Sequence, residues 1–169
     1  LSSNPELRLL FVGPNIGFKD KSGVFHDLHN HIKKEIPSEY HKQITIFGKL
    51  PHREISALRQ RACVTIAPSR FDNFPNTVLE AISYGCPLIC TNVGGIPEII
   101  KHNVNGILVE SEKSIDLAKK IIELTTQKTK AIGLSRQALK TAREKYDPVV
   151  LARKSETYYA QVVELFKGY

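Results

Sequence analysis

Two carboxylates, Asp72 and Glu80, close the nine residues "DNFPNTVLE" at either end. An Asn-Phe-Pro-Asn break separates them, and helical patterning begins near Asn76, so Asp72 precedes a helix start and Glu80 falls inside the helix. The stretch just before, "CVTIAPS" from Cys63 to Ser69, reads as a strand running into a loop. In an open α/β sheet ligands collect at the carboxyl ends of strands, where the next helix aims unpaired amides and the positive end of its dipole. Such a place attracts an anion, here with a carboxylate on either side. A phosphate repels a carboxylate, so each is suited instead to accept hydrogen bonds from sugar hydroxyls flanking the phosphate. The same residues also fit a plainer account, in which Asp72 caps a turn and Glu80 is a solvated helix residue.

The elements needed to hold these groups are legible along the chain. "LRLLFVG", Leu7 to Gly13, is a short apolar run ending in Gly-Pro-Asn and reads as a buried strand. Val24 to Ile36 is helical in composition, and "QITIFG", Gln43 to Gly48, is β-rich. Ile55, Leu58 and Ala62 mark one face of a helix beginning near Pro51. From Asn76 to Tyr84, Val78, Leu79 and Ile82 share a helical face, with Gly85 as the stop and "PLICTN" as the following strand. A short helix over Ile96 to Ile100 and a strand in "GILVE" complete the series. Short apolar strands alternating with amphipathic helices predict an α/β fold, a Rossmann-like parallel sheet with helices on both faces.

From Ser111 the pattern changes to helices at roughly 112–126, 130–145 and 148–166. The last is best marked: Asp147-Pro148 supplies a cap and a first-turn proline, and Tyr158, Val162 and Phe166 recur at i, i+4 and i+8. One domain is expected over 1–169, with an αβ core to about 110 and C-terminal helices over 111–169.

A formal net charge of +7 suits nucleotide diphosphates, acidic membrane surfaces or nucleic acids alike. The basic residues of the terminal helices have few aromatics among them, so neither a stacking platform nor a reading helix is evident and no nucleic-acid partner is expected. No apolar run approaches the ~18 residues of a membrane helix, and Leu1 to Pro14 lacks a signal-peptide pattern. Cys63, Cys86 and Cys90 form no CxxC pair, which argues against a disulfide framework or a zinc site and fits a reducing cytosol. Cys86 and Cys90 are expected as small buried hydrophobes. The loop "GPNIGFKDKSG" is expected as a solvated turn, because Asp20 precedes Lys21 where a phosphate loop needs Gly-Lys-Ser/Thr. His26, His29 and His31, placed on the helix over 24–36, lack a third ligand in register and read as surface residues. The absence of Met and Trp, with Leu1 first, points to an excised piece.

The block "PSRFDNFPNTVLEAISYGCPLICTNVGGIPEII", followed by "NGILV", closely resembles the C-terminal donor-binding half of GT-B glycosyltransferases of family 4, the glycosyl transferases group 1. "FVGP" resembles the family's first strand and "ITIFGKLPHREISALRQRACVTIAPS" its middle, so the likeness covers nearly the whole chain. The resemblance implies that Asp72 and Glu80 are the paired carboxylates of the family's Glu-x7-Glu motif, the first meeting the donor sugar and the second the ribose. It also implies that Asn73, Phe74, Pro75, Asn76 and Thr77 present backbone amides to sugar and diphosphate, and that Gly48, Lys49 and Leu50 border the base. Asp72 departs from the family's usual glutamate and is one methylene shorter.

The implied activity is a retaining transfer of a hexosyl-type sugar from a nucleotide diphosphate sugar, without metal or further cofactor, to a glycan or glycolipid acceptor in polysaccharide biosynthesis. The acceptor-binding N-terminal domain and the cations that neutralise the diphosphate are expected to lie outside this chain, which alone would be inactive. Its last helix, which in the family returns to that domain, would be partly uncovered and prone to self-association. A cytoplasmic location, with peripheral contact to anionic membrane through the basic helices, is the accompanying expectation. The alternatives are another GT-B sugar-nucleotide enzyme such as an epimerase, or a non-catalytic nucleotide-binding module. A dehydrogenase is disfavoured because no GxGxxG follows the first strand.

Overall fold

A computed structural model describes residues 4–14, 16–20 and 22–167. Asn15 and Lys21 of the loop after the first strand, and the terminal Leu1, lie outside the described residues. The chain divides into two compact units, Leu1–Ala57 and Leu58–Tyr169.

The first unit begins with β1 (Leu9–Val12), followed by the short strands β2 (Phe18–Lys19) and β3 (Phe25–His26), helix α1 (Leu28–Glu35), a 3-10 turn over Ser38–Gln43, and β4 (Ile44–Phe47). β1 and β4 pair in parallel, Leu9 opposite Ile44 and Val12 opposite Phe47. Among the described residues β1 and β4 pair only with each other, and Leu10, Phe11 and Val12, expected to be buried, are exposed.

The helix expected over 24–36 starts only at Leu28, because Phe25 and His26 pair antiparallel with Lys19 and Phe18. Asp20 organises this hairpin, accepting from the amides of Ser22 and Val24 at 2.9 and 3.0 Å, while His26 Nε2 lies 2.7 Å from its other carboxylate oxygen. The Ser22 hydroxyl, the His26 ring and these amides hold the Asp20 carboxyl well below the usual carboxylate range. His26 is therefore a hairpin residue and only His29 and His31 are helical, while Phe18 and Lys19 turn part of the expected solvated turn into strand. Asp27 caps α1 by accepting from the Asn30 amide.

Helix α2 (His52–Arg61) carries the boundary between the units. The second unit continues with β5 (Thr65–Ala67), α3 (Asn76–Ser83), β6 (Leu88–Thr91), α4 (Ile96–Ile99), β7 (Ile107–Val109), α5 (Ser114–Thr126), α6 (Lys128–Thr141) and α7 (Pro148–Phe166). Its sheet is parallel, in the order β5-β6-β7. All four residues of β6 are buried, and alternate side chains serve opposite faces. Leu88 and Cys90 join Val78, Ala81 and Ile82 of α3, Ile96 and Ile99 of α4, and Ala138 of α6. Ile89 joins Ile107, Val109, Leu124 and Leu134 in a second cluster. Helices thus cover both faces of a parallel sheet, the expected α/β architecture.

Gly85, at φ +66°, ends α3 in a left-handed conformation. The Cys86 amide returns to the Ala81 carbonyl and the Gly85 amide to that of Ile82, each at 3.0 Å, the paired closure that a C-terminal glycine permits. Asn105, 2% exposed, joins three segments: its carbonyl accepts from the Lys101 amide at 2.7 Å, and its amide donates to the Ile99 carbonyl and the Thr141 hydroxyl.

The terminal helices match the expected ranges within a few residues, except that α6 gives way at Ala142 to a wider turn through Tyr146. Asp147 caps α7 by accepting from Val149, with Pro148 in the first turn. Tyr158 and Phe166 of α7 are 63% and 71% exposed.

Glu123 of α5 accepts from Lys120 at 2.7 Å and from Lys130 of α6 at 2.5 Å. These bonds hold its pKa at about 2 instead of 4.5. A depressed folded-state pKa stabilises the fold at pH values above the unfolded pKa, and that contribution fades as pH falls from about 4.5 to 2. Urea unfolding should find Glu123→Gln less stable than the parent near neutrality, with the gap closing across that acidic window.

Candidate functional site

The loop Pro68–Pro75 leaves the carboxyl end of β5 and delivers the chain into α3. The Ser69 carbonyl accepts from the Thr91 hydroxyl at 2.5 Å, binding the loop's start to the end of β6. The Asp72 carbonyl accepts from the Gly95 amide at 3.1 Å. The Phe74 ring packs edge-on against Tyr146, centroids 6.0 Å apart, and burial there, with the nearby Glu98 charge, pushes the Tyr146 hydroxyl pKa up. Pro75 is buried at the helix entrance.

The Gly94-Gly95 turn explains how loop and core come so close. A methyl group at Gly94 would lie 1.9 Å from the Asp72 carbonyl oxygen, and one at Gly95 would lie 1.8 Å from that of Asn73. Gly94 also has φ +52°, a conformation side-chain-bearing residues rarely adopt. Two residues without side chains thus let the backbone of the first carboxylate rest directly on the turn between β6 and α4.

α3 begins at Asn76 with Pro75 as its cap residue, and no side chain caps it. The amides of Asn76 and Thr77 have no carbonyl within the helix to donate to, so they are available to an anion. Asp72 is partly buried just before this helix end, while Asn73, Phe74, Asn76 and Thr77 are exposed beside it. Glu80 is more than a solvated helix residue: Arg59, in the last turn of α2, makes an ion pair with it through Nη1 and Oε2.

The structure therefore gathers Asp72, Asn73, Phe74, Pro75, Asn76, Thr77 and Glu80 on one loop-and-helix element. Gly48, Lys49 and Leu50 follow β4 in the first unit, where the Gly48 carbonyl accepts from the Gly13 amide at 3.3 Å and Lys49 is exposed. Arg59, Gly94, Gly95 and Tyr146 were missed by sequence reasoning. The Gly-Gly doublet after a strand was an available signal for close backbone approach, whereas nothing in "SALRQR" marks Arg59 among its basic neighbours.

All three cysteines are free, Cys63 exposed and the other two buried. Burial pushes the Cys86 thiol up and the Cys90 thiol up to about 12, so both behave as the expected small hydrophobes. Among the described residues, no three His, Cys, Asp or Glu side chains converge as metal ligands, and no helix is long and apolar enough to cross a membrane.

A parallel sheet with helices packed on both faces defines an α/β domain of the Rossmann-like class. The sequence profile of the glycosyl transferases group 1 matches residues 1–145, and the chain belongs to that family. It is 23% identical over 159 residues to the D-inositol 3-phosphate glycosyltransferase of Corynebacterium aurimucosum, covering 94% of this chain and 36% of that protein. With the N-acetyl-alpha-D-glucosaminyl L-malate synthase of Bacillus anthracis it shares 30% identity over 95 residues, 56% of this chain and 25% of the other. Among solved structures, Anabaena HepE in complex with UDP-glucose superposes with a TM-score of 0.77 at 23% identity, over 93% of this chain and 42% of that one. The C-terminal domain of the group 1 glycosyl transferase LpcC from Francisella tularensis gives a TM-score of 0.64 at 26% identity, over 72% and 61% of the two chains. The chain spans about a third or less of the length of the curated relatives it matches.

Glycine substitutions separate close approach from mere chain flexibility. Gly95→Ala should cost about 2 kcal/mol, in the range of overpacked sites, and shift the amide resonances of Asp72 to Thr77. Gly133→Ala, in open space on α6, should instead stabilise by about 0.5–1 kcal/mol. Urea unfolding with amide spectra of the two variants checks both.

Proposed function

We propose that this chain is the donor-binding half of a retaining glycosyltransferase, which takes a hexosyl-type sugar from a nucleotide diphosphate sugar and passes it to a glycan or lipid-linked acceptor. The observation that carries this proposal is the uncapped start of α3, with Asp72 immediately before it and Glu80 just over one turn inside. An anion at that helix end is met by the amides of Asn76 and Thr77 and by the positive end of the helix dipole. The carboxylates cannot share the phosphate's place, and they accept from hydroxyls on its two sides: Asp72 from the transferred sugar and Glu80 from the ribose.

In this mechanism the leaving diphosphate gains negative charge as the glycosidic bond breaks, and the helix amides stabilise it there. Cations from the remainder of the enzyme add to that stabilisation, and no metal is required of these residues. The acceptor hydroxyl, held by an N-terminal domain, attacks from the face the diphosphate leaves, which retains the anomeric configuration. Asp72 reaches one methylene less than a glutamate. Its backbone, pinned on Gly95, limits how far the loop can compensate, so the sugar contact is direct only for a hydroxyl brought close, and otherwise passes through water. The enzyme works in the cytoplasm in polysaccharide or glycolipid assembly, with the basic terminal helices facing anionic lipid.

Calorimetric titration with UDP, GDP and ADP, and then with their sugar conjugates, tests the proposal. UDP leads the set because HepE, of similar fold, was solved with UDP-glucose. One of the three nucleotides should bind weakly, and Glu80→Ala should weaken that binding about tenfold. Equal binding by the parent and Glu80→Ala, or sugar transfer by these 169 residues alone, would overturn it.

A further inference from the structure

Arg59 is the feature that neither the family resemblance nor the donor-site assignment absorbs. Its side chain is 13% exposed, against 32% for the Glu80 side chain it contacts. A guanidinium this far removed from water needs a charge partner, and the partly buried Glu80 carboxylate supplies one to a group that is always charged. The backbone of Arg59 is fixed as well. Its carbonyl accepts from the Ala62 amide at 3.2 Å and from the Cys86 thiol at 3.0 Å. Cys86 is the residue whose amide closes the end of α3 on Ala81. The last turn of α2 is thus attached to α3 twice, through Glu80 within the helix and through Cys86 just past its end.

We propose that Arg59 is the positioning residue for Glu80, holding its carboxylate in the orientation that accepts hydrogen bonds from the ribose hydroxyls of the donor. The assignment rests on the donor-binding function proposed above. A glutamate on a helix surface samples many rotamers, and ordering it when ligand arrives costs conformational entropy. With Arg59 in place that ordering is complete before the nucleotide binds, so the hydroxyls meet an acceptor already aimed. The ion pair also separates this role from neutralisation of the diphosphate. A cation serving the leaving group should face the start of α3 with its charge available, whereas Arg59 is largely buried and engaged with a carboxylate.

The test compares each nucleoside diphosphate with its 2′,3′-dideoxy analogue. The ratio of the two dissociation constants reads the ribose contact alone and cancels general effects on folding and phosphate binding. For the nucleotide among UDP, GDP and ADP that binds, we expect a ratio of about tenfold, the size of a hydrogen bond to a charged acceptor. Arg59→Met, which keeps the apolar stem, should bring the ratio near unity, as should Glu80→Gln. The double variant should lose no more than either single one, and Arg59→Lys should restore most of the ratio. A full ratio in Arg59→Met overturns the proposal. An equal fall in affinity for the diphosphate and its dideoxy analogue, with the ratio intact, also overturns it and assigns Arg59 to the phosphates. If circular dichroism shows Arg59→Met unfolded, Arg59→Lys and Glu80→Gln decide: a ratio kept in the first and lost in the second supports positioning, and any other pattern refutes it. Absence of nucleotide binding by the unsubstituted chain removes the donor site and this role with it, whereas binding with an unaltered ratio in the variants removes only the role of Arg59.

Discussion

Strand β6 must be covered on both faces, and the second unit is organised around that requirement. All four of its residues are buried, and a parallel strand so placed needs apolar partners above and below. Leu88 and Cys90 find them in α3, α4 and α6; Ile89 finds them in β7, α5 and α6. Once these helices are seated, the start of α3 and the loop from β5 have little freedom left, because Val78, Ala81 and Ile82 of α3 are themselves core residues. The carboxylates thus inherit their places from the core.

The loop then gains a second restraint that burial does not supply. Backbone lies against backbone where Asp72 and Asn73 cross Gly94 and Gly95, at a distance no side chain could occupy. The turn from which α4 starts is therefore also the support of the first carboxylate, and the Phe74–Tyr146 contact adds a support from the wider turn that follows α6. Elements distant in sequence converge on one loop of eight residues, 68–75, which is how short strands and helices can hold a ligand site steady.

The electrostatics of the site are divided along α3. Its start offers amides and a positive dipole end with no acidic residue in the first turn, which favours an anion. Further along, Glu80 is matched by Arg59. The helix thus presents a surface receptive to negative charge followed by a hydrogen-bond acceptor held by its own counterion.

Much of this was legible in the residues. Alternating apolar strands and helices gave the α/β class, because each periodicity states which faces must be buried. Gly85 and Asp147-Pro148 marked helix ends, since their backbone preferences are local. The Asn-Phe-Pro-Asn break between Asp72 and Glu80 marked the loop and the start of α3 at Asn76. Short-range periodicity failed where partners outside the local stretch decided the outcome: Phe25 and His26 joined a hairpin held by Asp20, and the apolar side chains of β1 stayed exposed. Arg59 looked like any basic residue on a helix. Only when the chain packs is its guanidinium set beside Glu80, 21 residues further along, because a charge acquires a specific partner from the meeting of two helices, and the sequence of either helix alone does not contain that distance.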